Sequence, residues 1–120
     1  MEKKILVIDD NPDDREIMER FLTKAGFKQL SFAENGLEGA HKARAERPDL
    51  IIMDIVMPQK NGPDTAELLR QDSLTSRIPV IFVTSLVRPG ESQGGMTRVF
   101  AKPFDNSAIL NKIQALLKGD

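Results

Sequence analysis

Five short apolar runs, spaced along the whole chain, restrict the fold more than any other feature of the sequence. They are KILVI at 4–8, QLSFA at 29–33, LIIM at 50–53, PVIFV at 79–83 and RVFA at 98–101. Three of them are continuous and rich in Ile and Val, which is typical of strands that are buried on both faces. The runs therefore favour a parallel sheet over a half-exposed antiparallel one.

Helical patterns separate most of these runs. Asn11 is a plausible N-cap with Pro12 at the first helical position, and the helix is expected to end at Gly26. Its apolar stripe comprises Ile17, Met18, Phe21, Leu22 and Ala25. A weaker helix over 36–46 contains Gly39 and ends before Pro48, with a stripe made of Leu37, Ala40 and Ala43.

Two further helices complete the alternation. Pro63 opens a short helix whose inward side chains are expected to be Ala66, Leu68 and Leu69. Asp105 is expected to cap the last helix, whose stripe comprises Ile109, Leu110, Ile113, Leu116 and Leu117. Strands that alternate with helices in this way predict a doubly wound α/β sandwich.

The fourth crossover breaks the pattern. Its sequence, SLVRPGESQGGMT at 85–97, holds Pro89 and the glycines Gly90, Gly94 and Gly95. Proline and glycine inside a helix are destabilising by several kcal/mol in total. We therefore expect residues 86–97 to form a short or disordered helix, or none, with elevated mobility.

Composition limits the class of protein. A chain of 120 residues with 40% hydrophobic content forms one domain, 1–120, with a real core. The net charge is -1, and no basic run is interleaved with aromatic residues, so direct nucleic-acid binding is not indicated. The chain has no cysteine and no apolar stretch near the roughly 20 residues of a membrane span, so we expect a cytoplasmic protein without membrane insertion.

Reactive side chains follow four of the five apolar runs. Asp9 and Asp10 follow the first, Asp54 the third, Thr84 the fourth and Lys102 the fifth. Open parallel sheets bind ligands beyond the carboxyl ends of their strands. The sequence therefore predicts that three carboxylates, a hydroxyl and an ammonium converge at one edge of the sheet.

Such a cluster needs positive charge. Two carboxylates about 4 Å apart repel by about 4 kcal/mol at an effective dielectric constant near 20. Lys102 supplies one charge, and an all-oxygen set without a His or Cys cluster favours Mg²⁺ over zinc. A metal-bound carboxylate beside a hydroxyl and a lysine indicates phosphoryl transfer, in which one central carboxylate could become an acyl phosphate.

These residues resemble the receiver domain of two-component response regulators. The resemblance covers nearly the whole chain, through the segments ILVIDDN, AENGLEGA, PDLIIMDIVMPQKNG, IPVIFVTS and FAKPF. It implies a three-layer α/β/α fold with a five-stranded parallel sheet of flavodoxin-like order, 2-1-3-4-5, and five helices.

The resemblance also implies a role for each acidic residue. Asp54 would accept a phosphoryl group from a phosphohistidine of a sensor histidine kinase or histidine phosphotransfer protein. Asp9 and Asp10 would hold Mg²⁺, helped by Asp54 and the backbone carbonyl of Val56. The protein would be a signalling switch rather than an enzyme, with only self-catalysed phosphorylation and slow autodephosphorylation.

The other implied roles concern the response to phosphorylation. Thr84 would bond a phosphoryl oxygen, Lys102 would pair with the phosphoryl group, and the small Ser85 would leave it accessible. The Lys102–Pro103 bond resembles the family's cis peptide bond, and X-Pro bonds tolerate the cis form. A downstream protein target would sense the change through residues 85–104.

Two departures from the family pattern affect the expected response to phosphorylation. Receivers usually carry Tyr or Phe three residues before the lysine, where this chain has Val99. Phe100 is adjacent but is expected to face the opposite side of the sheet. Thr84 and Lys102 are 18 positions apart, about four fewer than usual, which is roughly one helical turn. Ordering of 86–97 could then replace the swing of an aromatic ring.

Two alternatives remain open at this stage. Val99 leaves room for a degenerate receiver that binds partners without phosphorylation. A haloacid-dehalogenase-like phosphatase would also use an Asp nucleophile, but it needs a second Asp two residues later, where this chain has Val56. The sequence leaves the oligomeric state open, a homodimer included, and does not identify the kinase or the target.

Overall fold

Five strands and four helices alternate along the part of the chain that the structure describes. This computed structural model describes residues 2–57, 61–85 and 98–119. The elements, in chain order, are β1 (Lys4–Ile8), α1 (Pro12–Lys24), β2 (Gln29–Ala33), α2 (Gly36–Glu46), β3 (Leu50–Met53), α3 (Gly62–Gln71), β4 (Val80–Thr84), β5 (Val99–Ala101) and α4 (Asn106–Leu117). All neighbouring strands are parallel, in the order β2-β1-β3-β4-β5. The predicted sheet order is therefore confirmed.

Successive residues of each strand pack into two separate hydrophobic cores, one on each face of the sheet. On one face Leu6 and Ile8 of β1 pack with Ala43 of α2 and Leu69 of α3. The opposite face carries the alternate strand residues and the buried stripes of α1 and α4: Ile5, Val7, Ile52, Ile81, Met18, Leu22, Ile109 and Ile113. Two cores about one sheet give the predicted three-layer α/β/α arrangement.

Side-chain caps fix where the helices begin. The Asn11 Oδ1 accepts hydrogen bonds from the backbone N–H groups of Asp13 and Asp14 at 2.8 and 3.1 Å, which confirms the predicted start of α1. The predicted cap of α4 by Asp105 is confirmed as well. Asn35 caps α2. A fourth cap, Asn61 at the start of α3, was not predicted.

The predicted inward stripes are wrong at four positions. Each lies at helical spacing from buried neighbours, but the side chains are exposed: Ile17, Ala25, Leu37 and Leu68. Spacing gives the direction of an apolar stripe about 100° wide, and residues at its margins face solvent or a cleft. The buried residues Met18, Ala43 and Leu69 mark the true centres of those stripes.

Gly39 strengthens the packing of α2 although glycine weakens a helix. A Cβ atom at this position would lie 2.4 Å from the Ile8 Cδ1 atom, far inside normal contact. The helix therefore packs against the end of β1 at a distance that a larger residue would prevent.

The fourth crossover cannot be compared with its prediction, because residues 86–97 lie outside the described residues. The strands on either side are each one residue from the predicted bounds: β4 is Val80–Thr84 and β5 is Val99–Ala101. Across the described ranges, no helix combines the length and apolar character needed to cross a bilayer.

Candidate functional site

The sheet brings the predicted site residues to one edge. Asp9 follows Ile8, the last residue of β1, and Asp54 follows Met53, the last residue of β3. Ile8 and Met53 are register partners in the parallel pair of these strands. The Asp54 N–H donates to the Ile8 carbonyl at 3.1 Å, and the Lys102 N–H donates to the Thr84 carbonyl at 2.9 Å. Backbone hydrogen bonds between the strands therefore fix the backbone positions of four site residues: Asp9, Asp54, Thr84 and Lys102.

The Lys102 ammonium contacts three carboxylates of the site. Its Nζ donates to Asp14 Oδ2 at 2.8 Å, to Asp9 Oδ2 at 2.9 Å and to Asp54 Oδ2 at 3.1 Å. Hydrogen bonds between charged groups are the strong ones, and a partly buried setting screens them little. One ammonium thus offsets part of the charge of three carboxylates drawn from α1 and from the ends of β1 and β3.

Asp14 is the site residue that sequence reasoning missed. It lies in the first turn of α1, and its N–H is held by the Asn11 cap. The predicted cap was a usable signal, because residues of a first helical turn that begins at a strand end lie over the same edge of the sheet. Carboxylates are also favoured there by the partial positive charge of the helix N-terminus.

Arg15 holds the backbone of Asp9 in place. Its Nη1 donates to the backbone carbonyl of Asp9 at 2.7 Å, and its side chain is mostly buried. The Asn11 N–H donates to Asp9 Oδ1 at 3.0 Å. Both the backbone and the carboxylate of Asp9 are therefore held in place.

Burial and charge act in opposite directions on the pKa values of the site. Burial raises the pKa of Asp9 above its ordinary value, and the hydrogen bonds from Lys102 and the Asn11 N–H offset part of that rise. Burial by itself lowers the pKa of Lys102, but its hydrogen bonds to Asp14, Asp9 and Asp54 outweigh this and raise it. Lys102 therefore stays protonated at neutral pH.

Three carboxylates form an arrangement that fits a hard divalent cation. One oxygen each of Asp9, Asp10 and Asp54 lies within 4.8 Å of the others. Asp9 is buried, Asp54 is half-buried and Asp10 is exposed, so the group opens to solvent on one side. All-oxygen ligands with room for water suit Mg²⁺. Val56, the predicted carbonyl ligand, lies two residues after Asp54 with an exposed side chain, and its role stays a prediction.

A cleft of about 650 Å³ gives access to these carboxylates. Its polar lining residues include Asp9, Asp10, Asp14, Asp54, Ser85 and Lys102, and its apolar lining residues include Ile17, Met18 and Phe104. The Ile55 N–H donates to Asp54 Oδ1 at 2.7 Å, while Oδ2 faces Lys102. Both oxygens of Asp54 therefore have fixed directions at the cleft.

The residues predicted for the output side occupy different environments. Thr84 is buried at the end of β4, and Ser85 is exposed. Val99 belongs to the core on the α2 and α3 face, whereas Phe100 packs on the α1 and α4 face. The prediction that Phe100 cannot occupy the position of a missing aromatic ring at Val99 is therefore confirmed. The Lys102–Pro103 peptide bond is cis.

Comparison with known proteins gives a consistent result. The sequence profile described as "Response regulator receiver domain" matches residues 5–114. Protein PilH of Pseudomonas aeruginosa is 40% identical over 121 residues, which covers 97% of this chain and 98% of PilH. The polar-differentiation response regulator DivK of Brucella anthropi is 31% identical and covers 98% of both chains.

A solved structure extends the comparison to the site. The receiver domain of the sensor histidine kinase PA1611 of Pseudomonas aeruginosa PAO1 has a TM-score of 0.85, with 25% identity over 98% of this chain and 99% of that one. That structure is described as having a magnesium ion coordinated in the active site cleft. The cleft of this chain carries the acidic group of Asp9, Asp10 and Asp54.

Proposed function

This chain belongs to the response regulator receiver domain family, and on that premise we propose that it is a phosphorylatable switch of a two-component phosphorelay. Asp54 is the phosphoryl acceptor in this proposal. The observation that supports it most is the contact of the Asp54 carboxylate with the Lys102 ammonium, 3.1 Å apart in an open cleft. A nucleophilic carboxylate and a charge-neutralising cation are thereby adjacent.

The proposed reaction transfers a phosphoryl group from a phosphohistidine of a sensor histidine kinase or histidine phosphotransfer protein. An oxygen of Asp54 forms a bond to phosphorus as the phosphorus–nitrogen bond to the donor imidazole breaks. The product is an acyl phosphate on Asp54, and the imidazole nitrogen keeps the electron pair. Lys102 lies where it would offset negative charge on the transferred group.

The carboxylates of Asp9, Asp10 and Asp54 would hold Mg²⁺, together with the backbone carbonyl of Val56. Bound there, the ion would neutralise charge on the phosphoryl oxygens. The oxygen-only ligand set supports this part of the proposal. The fixed orientation of Asp9, held through Asn11 and Arg15, would keep the set assembled before any donor arrives.

Phosphorylation would change the binding of a downstream protein through residues 85–104. Thr84 ends β4, which pairs with the strand that leads to Asp54, and Ser85 lines the same cleft as Asp54; these positions support a response of both residues to a phosphoryl group on Asp54. Val99 provides no aromatic switch, which supports an output that uses the 86–97 segment. A cytoplasmic location and a role as switch rather than enzyme are parts of the same proposal.

Intact-mass measurement after incubation with acetyl phosphate and Mg²⁺ tests the acceptor. We expect the mass of the wild type to increase by one phosphoryl group and that of Asp54→Asn to stay unchanged. Asp64→Asn, an exposed carboxylate in the first turn of α3, is the matched control and should gain mass as the wild type does. No gain in the wild type, or an equal gain in Asp54→Asn, would refute the proposal.

A further inference from the structure

Among the described residues, three carboxylates contact the Lys102 ammonium, and the proposed function gives no role to one of them, Asp14. Asp54 is the proposed acceptor and Asp9 a proposed ligand of Mg²⁺, yet Asp14 makes the shortest of the three contacts, at 2.8 Å. We propose that Asp14 is a positioning residue that holds the Lys102 ammonium before phosphorylation and competes with the phosphoryl group for it. This inference rests on the proposed function.

The exposure of the three carboxylates identifies Asp14 as the partner that can release Lys102 most easily. The Asp14 side chain is 31% exposed, against 9% for Asp9 and 13% for Asp54. A carboxylate that water can reach regains hydration when its partner leaves, whereas a buried one is left without compensation. The free energy needed to break the Lys102 contact is therefore lowest at Asp14.

The position of Asp14 in α1 also favours its negative charge when Lys102 has moved away. It lies in the first turn, where the unpaired N–H groups of the helix favour negative charge. The Asn11 cap fixes its backbone, so the carboxylate stays near the site after Lys102 has moved to a phosphoryl group. A charge held there competes with the phosphoryl group for Lys102, and this competition lowers the equilibrium level of phosphorylation.

The contact also connects α1 to the state of the site. Lys102 follows β5 and Asp14 lies on α1, 88 positions earlier in the chain. When the ammonium turns to a phosphoryl group, the first turn of α1 loses its link to the end of β5. The strength of this link would therefore set how readily Asp54 is phosphorylated.

Binding of beryllofluoride in the presence of Mg²⁺ tests the inference, because beryllofluoride mimics a phosphoryl group on a carboxylate. The chain has no Trp and no Tyr, so ¹⁹F NMR or calorimetry is the suitable measurement. We expect Asp14→Asn to bind beryllofluoride about tenfold more tightly than the wild type, the effect of about 1.4 kcal/mol. Asp13→Asn removes an exposed charge from the same turn and should stay within about twofold.

A double-mutant cycle separates competition for Lys102 from a simple change of charge. In a Lys102→Ala background, the affinity gain from Asp14→Asn should disappear, because no ammonium is left to compete for. A gain that persists there would overturn the inference, as would equal or weaker binding by Asp14→Asn. Asp14→Ser replaces Asp14→Asn if the latter does not fold. If the wild type itself does not bind beryllofluoride, the proposed function fails first and the inference fails with it.

Discussion

Replacement of Lys102 by methionine should destabilise the folded protein in the absence of divalent cations. Methionine keeps much of the apolar stem but removes the ammonium, which has Asp9, Asp14 and Asp54 within 3.1 Å. Their charges then lack a cation, since Asp9 and Asp54 are largely buried and cannot be fully hydrated. The loss falls on the folded state, because the unfolded chain exposes these side chains to water.

The size of the effect follows from this burial. Removal of one partner from a fully buried ion pair costs about 3–5 kcal/mol. The lysine side chain is 19% exposed, so solvent screens part of the charge, and we expect the lower end of that range, about 3 kcal/mol. For a chain of this size the corresponding decrease in melting temperature is about 10 °C. Mg²⁺ bound by the same carboxylates should reduce the difference.

Urea unfolding followed by far-UV circular dichroism measures the effect, with and without Mg²⁺. Lys28→Met removes an exposed lysine and should change the free energy of unfolding by less than about 0.5 kcal/mol. A Lys102→Met protein as stable as the wild type in Mg²⁺-free buffer would refute the reasoning. It would mean that the carboxylates move apart or take up protons without a significant loss of folding stability.

Three further predictions concern neighbouring residues. Asp9→Asn should raise the free energy of unfolding in Mg²⁺-free buffer and weaken Mg²⁺ binding, both measurable by calorimetry. The sign follows from the raised pKa of Asp9: its stabilising contribution is present below the ordinary value and is lost as pH rises through the folded-state value, so its charge destabilises the fold at neutral pH. Gly62→Ala places a Cβ atom 2.4 Å from the Asp54 carbonyl oxygen and 2.9 Å from the Ile55 Cα; it should cost about 1–3 kcal/mol in urea unfolding and slow phosphorylation in the mass assay. Asn11→Ala removes a cap that accepts two hydrogen bonds, and a loss of about 1 kcal/mol is expected. No loss of stability in either of the last two variants would contradict these contacts.

The fold followed from the sequence because local signals and the global arrangement agree. The apolar runs matched the bounds of the first three strands, and the cap residues Asn11 and Asp105 matched the starts of two helices. Errors fell at the margins of helices, as for Ile17 and Leu68, where tertiary packing decides which side of a stripe is covered.

The site was predictable where it depends on strand ends and less so where it depends on a helix. Parallel strands bring their carboxyl ends to one edge, which placed Asp9, Asp54 and Lys102 together. The contacts of Asp14 and Arg15 also require the direction of α1 relative to the sheet, and sequence spacing alone does not give it. The predicted cap at Asn11 indicated the edge of the sheet over which Asp14 and Arg15 lie, but not which groups they contact.

The separation of Lys102 from its partners has a consequence for biosynthesis. The contact with Asp9 spans 93 positions, and the contact with Asp54 spans 48. A ribosome therefore completes the acidic cluster long before it adds the cation that offsets it, and β5, which carries that cation into place, joins the sheet at its edge. Nascent or truncated chains without β5 and Lys102 would keep an unbalanced cluster of carboxylates, and the protein would gain a competent site only when its final strand docks.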